Sequence, residues 1–234
     1  MKQIIGYSST ALLLSLGLSS PALADNSINL GVGTTGLVVE YDRNLSDSVH
    51  VRASLQYFKY DEDFEEEDID YEGEISSTHV GLLADYHPFQ GGFRITAGIF
   101  STDLGIELEA KPSQSEFEIG DETYIVSDGN NNPLQLSAEI EFAPVSPYIG
   151  FGWGNSPGEG LGFTIDVGLL VVGEADLKFD ASGTVTEESS GLTIDVERNA
   201  EFQENLQKEQ AELEDEFEDF SVYPVVMLGV SYTF

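Results

Sequence analysis

The chain has 234 residues, with 43 Asp and Glu against 9 Lys and Arg, a formal net charge of −34, and no cysteine. A field of that sign repels phosphate backbones, which argues against nucleic acid as a partner. The missing thiols exclude disulfide frameworks, thiolate metal sites and cysteine nucleophiles.

In chain order, the first feature is "MKQIIGYSSTALLLSLGLSSPALADNS". Lys2 is a positive n-region, Ala11 to Leu18 an apolar h-region, and Ala22-Leu23-Ala24 a small-residue cleavage site before Asp25. Residues 1–24 are therefore expected to be a secretory signal peptide and 25–234 one mature domain. The apolar stretch is too short for a spanning helix, which needs roughly 20 residues. Nothing further along is longer, so membrane insertion would require a closed barrel.

The mature sequence alternates with a period of two, the signature of strands with one apolar face. A short strand near "SINLGVG" is followed by "GLVVEYDRNL" and, after "LSDS", by "VHVRASLQYF", where Val49, Val51, Ala53, Leu55 and Tyr57 share a face. "VGLLADYHP" and "FRITAGIF" flank "HPFQGG"; "LQLSAEIEF" and "YIGFGWGN" flank "APVSP". "LGFTIDVGLLVV" carries Leu161, Phe163, Ile165, Val167, Leu169 and Val171 on one face, and "ADLKFDAS" is a weaker copy. The last segment, "YPVVMLGVSYTF", keeps its apolar face up to Phe234. A soluble sandwich would leave that end frayed and sticky, whereas a strand in lipid would not.

Short turns at 45–48, 87–92, 143–147 and 173–175 alternate with longer polar stretches, as periplasmic turns alternate with extracellular loops. The expected fold is all-β, an antiparallel up-and-down transmembrane β-barrel of eight to ten strands with one acidic helix before the last strand. Ten strands fit the four short turns; eight result if "LQLSAEIEF" and "ADLKFDAS" extend loops instead of spanning.

The stretches "GVGTTGLVVEYDRNLSDSVHVR", "LLADYHPFQGGFRITAG", "SPYIGFGWGN" and "YPVVMLGVSYTF" give the chain a resemblance to proteobacterial outer-membrane β-barrels of the outer-membrane protein A type. It is more closely similar to a group of exported barrels with no settled activity. The resemblance implies an outer-membrane location, lipid and lipopolysaccharide as surroundings, and assembly by the barrel-assembly machinery, with Tyr232 and Phe234 as the assembly signal. It implies no reaction.

Three features are candidate sites. The acidic run "DEDFEEEDIDYEGE" is read as a loop in which Asp61, Asp63, Glu65, Glu66, Glu67 and Asp68 repel one another and would accept a divalent cation through oxygen ligands. Glu72 would close an EF-hand-like set, but Glu66 stands where that loop needs glycine. The stretch "ERNAEFQENLQKEQAELEDEFEDF" predicts a helix starting near Asp195 or Glu197, with Phe202, Leu206, Leu213, Phe217 and Phe220 on one stripe, packed over or beside the barrel mouth, with a partner-binding or plug helix as the alternative.

In the lumen, Glu40 and Asp42 are expected to face Arg52 and His50 across a hairpin, with Asp85 and Arg94 flanking the next turn. Enzyme chemistry has little to stand on: the three histidines, His50, His79 and His87, lie near no recognisable nucleophile motif. No cofactor is expected. The function expected is that of a structural barrel or one passing small solutes or cations, with a surface module that binds partners through acidic loops as the alternative.

Overall fold

The computed structural model describes residues 26–66, 69–112, 116–119, 122–126, 132–154, 160–217 and 221–234. The expected signal peptide (residues 1–24), Glu67, Asp68 and Phe220 lie outside them. Among the described residues, eight strands close a barrel: β1 (Asn26–Gly33), β2 (Gly36–Ser46), β3 (Val49–Glu66), β4 (Ile69–Tyr86), β5 (Phe93–Pro112), β9 (Val145–Gly154), β10 (Gly160–Val171) and β14 (Val222–Thr233). Each pairs antiparallel with its neighbours, β5 with β9 and β14 with β1. Closure runs to the last residue, where Asn26 and Phe234 exchange backbone hydrogen bonds of 3.1 and 2.9 Å. No open edge is left in the barrel wall, the condition for a sheet in hydrocarbon.

Two of the expected turns are corrected. Residues 143–147 and 173–175 do not reverse the chain. β8 (Gln135–Glu141) and β9 both pair with β5, at Gly105–Ala110 and at Phe93–Ser101, in one continuous register. The intervening Pro144 has no N–H to give to the ladder. Its carbonyl still accepts from the Thr102 N–H at 2.9 Å, so the strand kinks and resumes. In the same way β11 (Asp176–Ser182) continues β10 upward beyond Gly173, whose φ of 76° suits glycine, and pairs with β8. Proline and glycine here punctuate a strand instead of ending it. The barrel therefore has eight strands, and β8 and β11 form an extension above it.

The faces explain where the membrane ends. A transmembrane strand needs roughly 9–11 residues, but β3, β4 and β5 have 18, 18 and 20. Along β5 the outward residues Phe93, Ile95, Ala97 and Ile99 give way to Asp103, Glu107 and Glu109, while the inward Arg94 and Thr96 give way to Leu104, Ile106 and Leu108. Along β3 the same switch falls between Tyr57 and Asp61. Below the switch the solvent outside is lipid, and Leu161, Phe163, Ile149 and Leu30 are exposed to it. Above it the solvent is water. The lower rim carries an aromatic girdle: Phe93 with Trp153 at 6.2 Å, Phe89 with Phe93 at 6.1 Å, and stacked Tyr232 and Phe234 at 6.4 Å. A barrel with this apolar belt is an outer-membrane protein.

Above the membrane a second sheet, β6 (Glu116–Ile119), β7 (Glu122–Ile125), β12 (Thr184–Glu187) and β13 (Thr193–Asp195), has the order β13-β12-β7-β6. The helix α1 (Ala200–Phe217) starts later than expected, because Asp195 ends β13. Asn199 caps it: its side-chain oxygen accepts from the Phe202 N–H at 2.8 Å, and Glu201 sits in the first turn, favoured by the dipole. Phe202 and Leu206 of the expected stripe are buried with Ile119, Tyr124, Val126, Leu134, Val185 and Val196. Phe202 meets Tyr124 edge-on at 5.0 Å. The helix packs on β11 and β6 over this small core. Phe202→Ala should cost about 3–5 kcal/mol in this unit, so limited proteolysis should release extracellular fragments while the barrel keeps its heat-modifiable migration in unboiled gels.

Candidate functional site

The lumen is where the sequence concentrates its buried polarity. Arg52 of β3 and Arg94 of β5, both almost wholly buried, lie among Glu40 of β2, Asp85 of β4 and Asp166 of β10. Period-two alternation aims all five at the axis. Arg52 donates through Nη1 to Glu40 Oε2 at 3.1 Å and through Nη2 to Asp85 Oδ1 at 3.1 Å, with longer bonds to Asp166 and Thr96. Arg94 grips Asp166 bidentately, Nη2 to Oδ2 at 2.6 Å and Nε to Oδ1 at 3.1 Å. Gly152 makes room for that pair: a Cβ there would lie 2.4 Å from Asp166 Oδ1.

Across the expected hairpin Glu40 meets Arg52 and Asp42 lies beside His50, each pair two residues from direct opposition. Asp42 stands opposite Arg52, Glu40 opposite Ser54, and Asn44 opposite His50. Arg52 still reaches Glu40, one step diagonally, but Arg94 turns across the lumen to Asp166 and comes only to 4.0 Å of Asp85. Asp166 was legible as inward in "LGFTIDVGLL"; its partner was not, because β10 and β5 are not hairpin neighbours. His50 lies at the lower rim, its Nδ1 3.6 Å from Asp42 and its ring 4.2 Å from that of His87. His79 is buried higher up, with Nδ1 3.3 Å from Thr102 Oγ1.

Above the ionic cluster lies a layer of large side chains: Leu83, Phe100, Tyr148, Leu170, Val172 and Val225. Glycines on neighbouring strands accommodate them. A Cβ at Gly81 would lie 2.3 Å from the Phe100 ring, one at Gly98 2.4 Å from Leu83, and one at Gly168 2.4 Å from the Tyr148 hydroxyl. Phe100 and Tyr148 meet edge-on at 5.8 Å. Between this layer and Arg52 the cavity measures about 10 Å³, room for one water at most. Such a seal suits eight strands, whose interior is just wide enough for side chains to fill.

The acidic run is not a loop. Asp61 and Asp63 lie on β3, which continues to Glu66 and so takes in Glu65 as well. Asp61, Glu74, Glu107 and Glu139 stand in register across four strands, and Asp63, Glu72 and Glu109 across three. A rigid ladder spreads carboxylates in a row where an EF-hand loop would wrap them round a point. Among the described residues no group of three or more His, Asp or Glu is arranged to hold a metal ion. Three lysines break the ladder: Lys59 with Glu74 at 2.8 Å, Lys111 with Glu72 at 2.7 Å, and Lys178 with Glu141. These hydrogen bonds raise all three ammonium groups above their ordinary pKa. In the core above, burial pushes the Tyr124 phenol up.

With this geometry in view, comparison with protein-family models finds no match, and comparison with curated proteins finds none either. Solved structures that resemble the chain include two from Acinetobacter baumannii. The crystal structure of Acinetobacter baumannii CarO2 superposes with a TM-score of 0.56 at 16% identity, over 91% of this chain and 99% of that one. That of Acinetobacter baumannii CarO gives 0.51 at 17% identity, over 90% and 97%. At such identities the likeness is one of fold, and it covers nearly all of both chains.

Removing Arg52 would leave Glu40 and Asp85 without their shared cation in a buried site. Arg52→Gln should therefore destabilise the barrel by about 3–5 kcal/mol, read as a lower conversion temperature in unboiled gels; a shift no larger than that of a lipid-facing Leu30→Ala would contradict the assignment.

Proposed function

We propose that the barrel is a closed membrane anchor that presents its acidic extracellular unit to ligands and to the lipopolysaccharide surface, and that it is not a pore for free solutes. The observation that carries this reading is the layer of Leu83, Phe100, Tyr148 and Leu170 set directly on the Arg52 cluster. An ion crossing it would need both the apolar layer and the salt-bridged layer to open. Passage of small solutes or cations is the competing reading, and the cavity of about 10 Å³ speaks against it. In planar bilayers the purified barrel should give no regular single-channel steps, whereas Phe100→Ala combined with Tyr148→Ala should produce them. Steady conductance by the natural chain would refute the anchor reading.

The outward ladder gives the anchor a second role. Like charges directly opposite one another on a sheet destabilise it, and these carboxylates continue the lipid-facing surface upward, beside the outer-leaflet head groups. A notch of about 560 Å³ where β8 gives way to β9 adds Asp103, Glu174 and Asp176, with Lys178 bonded to Glu141 of its lining. Divalent cations between this face and lipopolysaccharide phosphates would relieve both repulsions, by oxygen ligation on each side. Titrating calcium into the refolded barrel should release heat at millimolar concentration. The heat should fall severalfold when Asp61, Glu74, Glu107 and Glu139 become amides; no heat in the natural chain would reject the role.

A further inference from the structure

Strand parity gives the extension an inner face as well as its acidic outer one. Leu108 of β5, Ala138 of β8 and Phe179 of β11 lie in register, with Leu136 two residues along β8, on the side that points to the barrel axis lower down. This face stands above the lipid belt and turns away from lipid. Leu206 of α1 and Ile119 of β6 are buried over part of it. Between the two sides an apolar groove of about 240 Å³ stays open, and Leu108 in its wall is 38% exposed to water.

The lining of this groove joins apolar walls to charge of a single sign. Among the described residues Glu118 and Glu209 bring carboxylates to it and no Lys or Arg lines it; Asp180 borders it from β11 with its side chain on the outer side, beside Ser137. An anion would meet those carboxylates and the field of a chain carrying −34. A neutral apolar body would gain from the walls alone. A body with an apolar ring and a positive charge would gain from both, since carboxylates beside a desolvated surface attract a cation more strongly than in bulk water. The volume lies slightly below the usual range for small-molecule pockets, roughly 300–1,000 Å³, and suits one ring system, not an extended peptide.

We propose that this groove binds a small hydrophobic amine, with its apolar body against Leu108, Leu136, Ala138 and Phe179 and its ammonium toward Glu118. The proposal rests on the extracellular unit being ligand-facing; it does not depend on the state of the lumen. Because the chain has no cysteine, Leu108→Cys places a single thiol in the groove wall. In full-length barrels in nanodiscs, alkylation of that thiol is followed against three probes of one shape: 1-naphthylmethylammonium, 1-naphthalenemethanol and 1-naphthoate. The amine should protect the thiol saturably, at least tenfold more tightly than the alcohol, and the carboxylate should not protect.

Glu118→Gln, added to Leu108→Cys, should bring the amine down to the level of the alcohol. Saturation transfer from the unaltered protein to the amine, displaced by excess amine and not by the carboxylate, is the matching measurement without any substitution at the groove. Equal protection by amine and alcohol would mean that the groove accepts any apolar chain, lipid included, and would overturn the proposal. So would an absence of both protection and transfer up to millimolar probe. Conductance recorded on the same preparation keeps the two readings apart: an open channel refutes the anchor reading and leaves the protection pattern to stand or fall by itself.

Discussion

The backbone pairing of β1 with β14 is the constraint on which the rest of the molecule depends. In hydrocarbon an unpaired sheet edge has no water to satisfy it, and each orphaned group costs several kcal/mol. The chain meets this demand at its last residue, where Phe234 and Asn26 exchange hydrogen bonds. Closing at eight strands then fixes the width of the lumen, and that width decides what can fill it. Large side chains must interlock, so glycines at 81, 98 and 168 stand beside Phe100, Leu83 and Tyr148. Charges taken from water must be paired, and Arg52 and Arg94 are surrounded by carboxylates.

Much of this was legible in the sequence because the period of two is geometric. The faces of "VHVRASLQYF" and "YPVVMLGVSYTF" follow from the pleat alone, and the structure puts Leu55, Leu228 and Val230 on lipid and Arg52 and Met227 inside. The inward placing of Glu40, Asp85, Arg94 and Asp166 came from the same count. Which of them would touch was not legible, since that depends on register and on pairs formed between strands far apart in sequence. Arg94 with Asp166, 72 residues away, is such a pair.

Where the sequence misled, it did so for identifiable reasons. Pro144 and Gly173 are turn-forming residues, and a local reading cannot tell a turn from a kink in a strand held by its neighbour, β5 for the first and the β8–β9 strand for the second. The run from Asp61 to Glu66 has a composition that favours loops, yet pairing with β4 along its whole length keeps it extended. Here tertiary pairing overrides local preference, as it does for strands generally. The helix was visible from its stripe, but its start moved to Ala200 because Thr193–Asp195 joins the outer sheet and Asn199 supplies the cap.

The inversion of the faces along β3, β4 and β5 links the two halves of the molecule. A strand keeps its parity through the interface, so the side that meets lipid below must meet water above, and the side that lined a polar lumen is free to become apolar. Ile99 and Glu107 share one side of β5, and Thr96 and Leu108 share the other. The upper part of each long strand is thus a soluble-protein strand continued without a break from a membrane strand. It follows that the unit above the membrane is not a set of loops placed on a barrel. It takes its orientation from the barrel wall, because β8 and β11, whose Leu136, Phe179 and Ala181 pack against its core, continue the line of β9 and β10.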